Sequence, residues 1–173
     1  MELIKCGAEH LAEVTALYHR TVKYLEENIN YPKWSAAHPS DEGISQAVSA
    51  GTQYMCVENG KALGAVVLND NPEGYYEAGE WSYDLQPGEF LVIHALAVDP
   101  EYARQGVGRF MTEQCIALAE KGGFRAVRLD VVPGNEPAGQ LYKNAGFTFA
   151  GTKDLRRNIK EVPAFDLYEI NLG

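Results

Sequence analysis

The spacing of apolar and polar residues changes character several times along the chain, and each change marks an element. In AEHLAEVTALYHRTVKYLEEN, Leu11, Val14, Leu17, Tyr18 and Leu25 fall on one stripe of a helical repeat. SDEGISQAVSAG predicts a second, short helix, with Ser40 or Asp41 as its cap and Gly51 as its stop. QYMCVENGKALGAVVL reads as two strands around Asn59-Gly60, the strongest short hairpin signal. Residues 2–5 read as a short first strand, and INYPKWSAAHPS as a loop. EFLVIHALAV is apolar enough for a strand buried on both faces. Val107, Phe110, Met111, Cys115 and Leu118 then line one face of a helix that stops at Gly122-Gly123. AVRLDVV is another strand, and NEPAGQLYKNAGF a short helix with Pro137 in its first turn and Gly146 at its end. FTFAGTKD and AFDLYEINL are closing strands. Residues 69–89 form a polar insertion that carries Tyr75, Tyr76, Trp81 and Tyr83 among acidic residues and glycines.

Strands and helices mix throughout and hairpins are present, so the expected fold is α/β with a mixed sheet. The 173 residues fit one domain, long enough to bury roughly 70% of the unfolded surface. A net charge of -9 argues against a nucleic-acid partner, because no basic stripe is present to neutralise phosphates. It agrees with a cationic substrate, although acidic surfaces also serve solubility alone. Cys6, Cys56 and Cys115 lie far apart, with no spacing that suggests a zinc site or other metal centre. Scattered cysteines fit a reducing compartment. MELIKCGAEH lacks the basic and apolar regions of a signal peptide. FLVIHALAV is about half the length of a membrane helix. A cytoplasmic protein with no membrane partner is expected.

The candidate chemistry begins at VDPEYARQGVGRFM. Gly106 and Gly108 sit where a buried strand turns into a helix. Glycine admits positive φ and lets a ligand come close. The first amides of a helix lack internal partners and lie at its positive end, which suits a phosphate. Arg104 and Arg109 add charge. No GxxxxGK[ST] run exists, and the third glycine of a dinucleotide fingerprint is replaced by Met111. A tight strand-to-helix turn without a ligand is the alternative.

From His94 to Phe147 the chain resembles the acetyl-CoA-binding core of the GNAT N-acetyltransferase superfamily. The resemblance is carried in order by Val98-Asp99-Pro100, Arg104-Gln105-Gly106-Val107-Gly108, Asn135, Tyr142 and Gly146-Phe147. One departure is Ala103, where the family usually has Arg or Gln three positions before the first glycine; Arg104 and Gln105 stand beside it. The resemblance implies one GNAT-like domain over 1–173. Its mostly antiparallel central sheet would have six or seven strands, flanked by about four helices and splayed between strands 90–98 and 126–131. It also implies that the amides of Gln105, Gly106, Val107 and Gly108 take the coenzyme A pyrophosphate. The edge of Leu96, Ala97 and Val98 would hold the pantetheine arm like an added strand, with Asn135 on the opposite wall.

Amine acylation needs a group to deprotonate the amine, donors for the oxyanion and a proton for the leaving thiolate. The resemblance makes Tyr142 the acid; a core-edge tyrosine is the alternative. His94 is the one polar side chain in FLVIHALAV, and His94 to Val98 resembles the corresponding strand of serotonin N-acetyltransferase, whose histidines lie near the amine. That implies a base or proton relay, against a satisfied core histidine. Asp130 is a second candidate relay, or else a salt-bridged strand residue near Arg128. Tyr31, Trp34 and Trp81 are candidates for an amine-binding wall, against surface packing or a dimer contact. Cys115 falls on a buried helix face, so direct transfer is the simpler route than an acyl-enzyme. The partners expected are acetyl-CoA and an amine acceptor, with a homodimer left open. A non-catalytic acyl-CoA-binding module of the same fold is the rival function.

Overall fold

The computed structural model describes residues 1–173. Its elements run β1 (Glu2–Lys5), α1 (Leu11–Glu27), α2 (Asp41–Ser49), β2 (Gln53–Glu58), β3 (Lys61–Asn69), β4 (Phe90–Val98), α3 (Val107–Lys121), β5 (Ala126–Val131), α4 (Glu136–Asn144), β6 (Thr148–Lys153) and β7 (Phe165–Asn171). The seven strands form one sheet in the order β1-β2-β3-β4-β5-β7-β6. β1 with β2, β2 with β3, β5 with β7 and β6 with β7 are antiparallel. β4 and β5 are parallel, because α3 carries the chain back between them. Their ladder joins Phe90–Ile93 to Ala126–Leu129, the first four residues of β4. The mixed, mostly antiparallel sheet with four helices agrees with the sequence expectation. No helix is long and apolar enough to cross a membrane.

The chain forms two compact units. The first holds Met1–Asn30, Trp34–Leu68 and His94–Gln114. Its core joins Val14, Leu17 and Tyr18 of α1, Ile44 and Val48 of α2, Met55 of β2, Ala62 and Ala65 of β3, and Ala97 of β4. The local signals act as read. The Ser40 hydroxyl accepts the Gly43 N–H at 3.1 Å and caps α2. Asn59 and Gly60 both take positive φ, 50° and 74°, closing a two-residue hairpin between Glu58 and Lys61.

The second unit holds Tyr31–Lys33, Asn69–Ile93 and Cys115–Gly173. Phe90, Val92, Ala126, Phe165 and Leu167 of its strands form a core with Leu155, Val162 and two residues of the insertion, Tyr76 and Leu85. The insertion is thus anchored to this core through Tyr76 and Leu85, while most of its other residues stay exposed. The Arg128 and Glu169 side chains lie opposite each other on β5 and β7, both buried. The Arg128 guanidinium lies 4.3 Å from the ring centres of Trp81 and Phe90.

The buried stripe of α3 differs from the expected one. Val107, Met111, Thr112, Cys115 and Ala119 are buried, whereas Phe110 and Leu118 are half-buried. The stripe follows four-residue steps from Val107, which selects small Ala119 over large Leu118.

Candidate active site

In the first unit, β4 carries an irregularity that no glycine announces. Ala95 has φ 47°, the left-handed region, which costs an alanine about 1–2 kcal/mol. The Tyr18 hydroxyl donates to the Ala95 carbonyl at 2.8 Å and accepts from Gln53 Nε2 at 3.2 Å. Tyr18 and Gln53 are both buried. His94 precedes this residue, and Leu96, Ala97 and Val98 follow it. His94, Leu96 and Val98 are half-buried, while Ala97 belongs to the core.

Beyond β4, Asp99 is buried and organises the next turn. Its Oδ2 accepts Arg20 Nε at 2.9 Å and Nη2 at 2.6 Å, so α1 is tied to the strand end. Its Oδ1 accepts the Glu101 N–H at 3.1 Å and caps a 3-10 turn, Pro100–Tyr102. Arg104 then takes φ 62° and Gly106 φ 81°. A Cβ on Gly106 would meet nothing within 4 Å, so glycine is required there by the backbone and not by crowding.

The Phe110 N–H donates to the Gly106 carbonyl at 2.9 Å, the first bond of α3. The amides of Val107, Gly108 and Arg109 therefore precede the helical ladder, at its positive end. Arg104, Gln105 and Arg109 are exposed. Arg109 Nε reaches Glu113 Oε1 at 2.7 Å, one turn on. Gln105 Nε2 reaches the Glu101 carbonyl at 3.4 Å. This junction has the open backbone and free amides that a pyrophosphate requires.

Trp34 also lies in the first unit, edge-on to Tyr18 with ring centres 6.2 Å apart. Asn30 and Trp34 clamp each other through Asn30 Oδ1 and Nδ2 at 2.9 and 2.7 Å.

In the second unit, Asn135 caps α4: its Oδ1 accepts the Ala138 N–H at 3.2 Å, leaving the amide Nδ2 as a donor. The buried residues of α4 are Gly139 and Tyr142, whereas Ala138, Leu141 and the following Ala145 are half-buried. Phe147 packs edge-on against Tyr142 at 5.6 Å. Burial pushes the Tyr142 phenol well above its ordinary range, and Cys115 and Asp130 add to the effect. It is a protonated donor throughout the neutral range.

Asp130 is bound by Arg157, with Nη1 donating to Oδ1 at 2.8 Å and Nη2 to Oδ2 at 2.7 Å. The Tyr76 hydroxyl also donates to Oδ2. The expected neighbour Arg128 is not its partner: Arg128 faces Glu169 at 3.7 Å and donates to the Tyr83 carbonyl. Trp81 stacks on Tyr76 at 5.6 Å and donates its indole N–H to the Tyr76 carbonyl at 2.6 Å. Tyr31 belongs to this unit and is half-buried.

All three cysteines are free and buried. Burial raises the Cys115 thiol to about 12 and the Cys6 thiol to about 11, which removes the thiolate an acyl-enzyme would need. No group of three or more His, Cys, Asp and Glu side chains could hold a metal ion.

Sequence reasoning placed the glycine junction at the turn into α3, and Asn135 and Tyr142 at the start and inside of α4, where the structure has them. It missed Tyr18 as a polar group, because the residue also fits the apolar stripe of α1. It missed Gln53, whose one signal is a polar residue at a core position of a strand. It missed Arg20 and Arg157, which lie far along the chain from their carboxylates.

A sequence profile of the acetyltransferase (GNAT) family matches residues 14–147. Over 94 residues, 54% of this chain, the sequence is 32% identical to an uncharacterised N-acetyltransferase of Methanocaldococcus jannaschii. Over 63 residues, 36% of this chain, it is 43% identical to the ribosomal protein bS18-alanine N-acetyltransferase of Escherichia coli K12. The matched stretches make up 38% and 40% of those two proteins, so the chain spans less than half the length of these curated relatives. Among solved structures, a GNAT-family acetyltransferase of Listeria monocytogenes aligns with a TM-score of 0.77 at 20% identity, over 99% of this chain and 94% of that one. The S18-alanine N-acetyltransferase of Escherichia coli aligns with a TM-score of 0.69 at 19% identity, over 99% and 94%. At those identities the likeness is one of fold.

Proposed function

Because the chain belongs to the acetyltransferase (GNAT) family, we propose that it transfers an acetyl group from acetyl-CoA directly to a primary amine, acting as one catalytic domain over residues 1–173 in the cytoplasm. The observation that carries the reading is the Gly106 junction. A positive φ, open space at the Cβ position and the first amides of α3 coincide in the stretch that bears the family motif.

Acetyl-CoA supplies an activated acyl group on a thiol leaving group. The amides of Gln105 to Gly108 are assigned to its pyrophosphate, with Arg104 and Arg109 adding positive charge nearby. The backbone of Leu96, Ala97 and Val98 is assigned to the pantetheine arm, in the manner of strand addition. Asn135 is assigned to the same arm through its Nδ2, since its oxygen serves the helix cap. Tyr142 is assigned the proton for the departing sulfur, since a phenol is protonated at neutral pH.

His94 is assigned the proton leaving the amine, as base or relay. Asp130 is left out of the relay, because Arg157 and Tyr76 occupy both of its oxygens. Tyr31 and Trp34 remain assigned to the amine side. Trp81 is assigned to packing, on its bond to Tyr76 and its stacking with Arg128.

The raised, buried thiols support transfer in a ternary complex over an acyl-enzyme. The relative named for alanine acetylation makes a protein α-amine the first acceptor to try.

The test is a panel of protein N-terminal peptides, lysine peptides, polyamines and small amines, assayed for acetyl-CoA-dependent release of free thiol. Thiol release with formation of the acetylamide is expected. Tight acetyl-CoA binding without turnover on any amine would instead favour the acyl-CoA-binding module.

A further inference from the structure

Resting on the acetyl-CoA reading above, we propose that Tyr18 is a positioning residue. Its hydroxyl, backed by Gln53, holds Ala95 in the left-handed conformation that aims the backbone of Leu96 to Val98.

All the observations lie within one unit. Ala95 is not a glycine, yet it adopts φ 47° inside a strand. Such a residue persists only where its surroundings over-determine it. The surrounding groups are visible here. Tyr18 Oη donates to the Ala95 carbonyl at 2.8 Å, and Gln53 Nε2 donates to that Oη at 3.2 Å. Gln53 also donates to the Val66 carbonyl at 3.1 Å and to the Tyr54 carbonyl at 3.2 Å, which anchors the chain of bonds in β2 and β3.

A phenylalanine and a leucine would fill the same core places with no polar atom. The fold instead buries a hydroxyl and an amide, and it leaves Gln53 Oε1 without a hydrogen-bond partner. A buried, unpartnered acceptor is destabilising, so packing alone does not account for Gln53. The polar pair makes sense as the support of one backbone dihedral.

That dihedral matters because successive residues of a strand face opposite ways. A single left-handed residue resets the direction of every amide and carbonyl after it, as a bulge does. The residues immediately after Ala95 are the ones assigned to the pantetheine arm. Tyr18 would thus act on the cosubstrate through Ala95, without touching it.

The experiment is a double-mutant cycle of Tyr18→Phe and Ala95→Gly in the full chain, read by acetyl-CoA calorimetry and by urea unfolding. Glycine takes positive φ without strain, so it replaces what the hydroxyl does. Tyr18→Phe should fold and bind acetyl-CoA about tenfold more weakly. Ala95→Gly alone should bind within about twofold of wild type, and the double variant within about threefold. With an acceptor identified, Tyr18→Phe should raise KM for acetyl-CoA and leave kcat nearly unchanged. Wild-type affinity in Tyr18→Phe, or a double variant as weak as Tyr18→Phe alone, overturns the proposal. If the wild-type chain binds no acetyl-CoA, the acetyltransferase reading has failed, and the unfolding data judge the clamp. Coupling between the two substitutions supports it, and additive effects sink it.

Discussion

Arg157 and Asp130 meet side-on, two nitrogens to two oxygens, at 2.8 and 2.7 Å. The pair is 27 residues apart in sequence, and each side chain is mostly buried. Arg157 also donates to the Glu73 carbonyl through Nε and Nη2, at 3.0 and 2.8 Å. One guanidinium therefore joins β5, the segment after β6 and the insertion. Asp130→Ala leaves that cation buried and unpaired, which should cost about 3 kcal/mol in urea unfolding. Tyr76→Phe alone should cost about 1.5 kcal/mol, since its hydroxyl donates to a charged acceptor. In the Asp130→Ala background Tyr76→Phe should add almost nothing, and full additivity would show that the groups act separately.

Gly106→Val tests the loop by backbone strain alone. The new side chain has room, but valine resists φ near 81°. The loop should relax, and acetyl-CoA affinity should drop at least about tenfold, or about 1.4 kcal/mol. Calorimetry reads the result. Unchanged affinity in a folded variant would remove the loop from the binding site.

Tyr142→Phe keeps the ring that packs against Phe147. Acetyl-CoA affinity should hardly move, because the hydroxyl matters once charge develops on sulfur. The rate at saturating acetyl-CoA should fall by about ten- to a thousandfold. Wild-type turnover, with chemistry shown to be rate-limiting, would assign Tyr142 to packing.

His94→Gln should lower the rate and remove an acidic limb from the pH profile of kcat/KM, as loss of a base or relay requires. A profile of unchanged shape with a nearly unchanged rate would return His94 to the core of β4.

Alkaline pH should destabilise the fold through its buried thiols. Burial raises Cys6 from 9.0 to about 11 and Cys115 from 9.0 to about 12. Both pKa values are higher folded than unfolded, so the unfolded chain releases these protons first. Their contribution is complete below pH 9.0 and is lost as pH rises through the folded values. Between about pH 9 and 11 both thiols should therefore lower the unfolding free energy as pH rises. Urea unfolding with Cys6→Ala and Cys115→Ala should show a correspondingly shallower slope, and an identical slope would rule the thiols out.

Much of this protein was legible from short-range chemistry. The stripe of α1, the Ser40 cap, the Asn59-Gly60 turn and the Gly106 junction each depend on residues within a few positions of one another. Order along the chain was also enough to expect a mixed sheet, because strands and helices alternate and hairpins are present. The anchors of the insertion were not legible, because Tyr76 and Leu85 lie isolated among polar residues. Only the sheet beneath them makes them core.

The sequence by itself determined the order of helices and strands, and which strand-to-helix loop has glycine freedom. Both follow from side-chain periodicity and backbone sterics, which act locally. The tertiary structure alone decided which polar groups are spent on one another. Tyr18 meets Ala95 across 77 residues and Tyr76 meets Asp130 across 54. A buried hydroxyl, carboxylate or guanidinium must find a partner, and no local pattern says which distant one folding brings within reach.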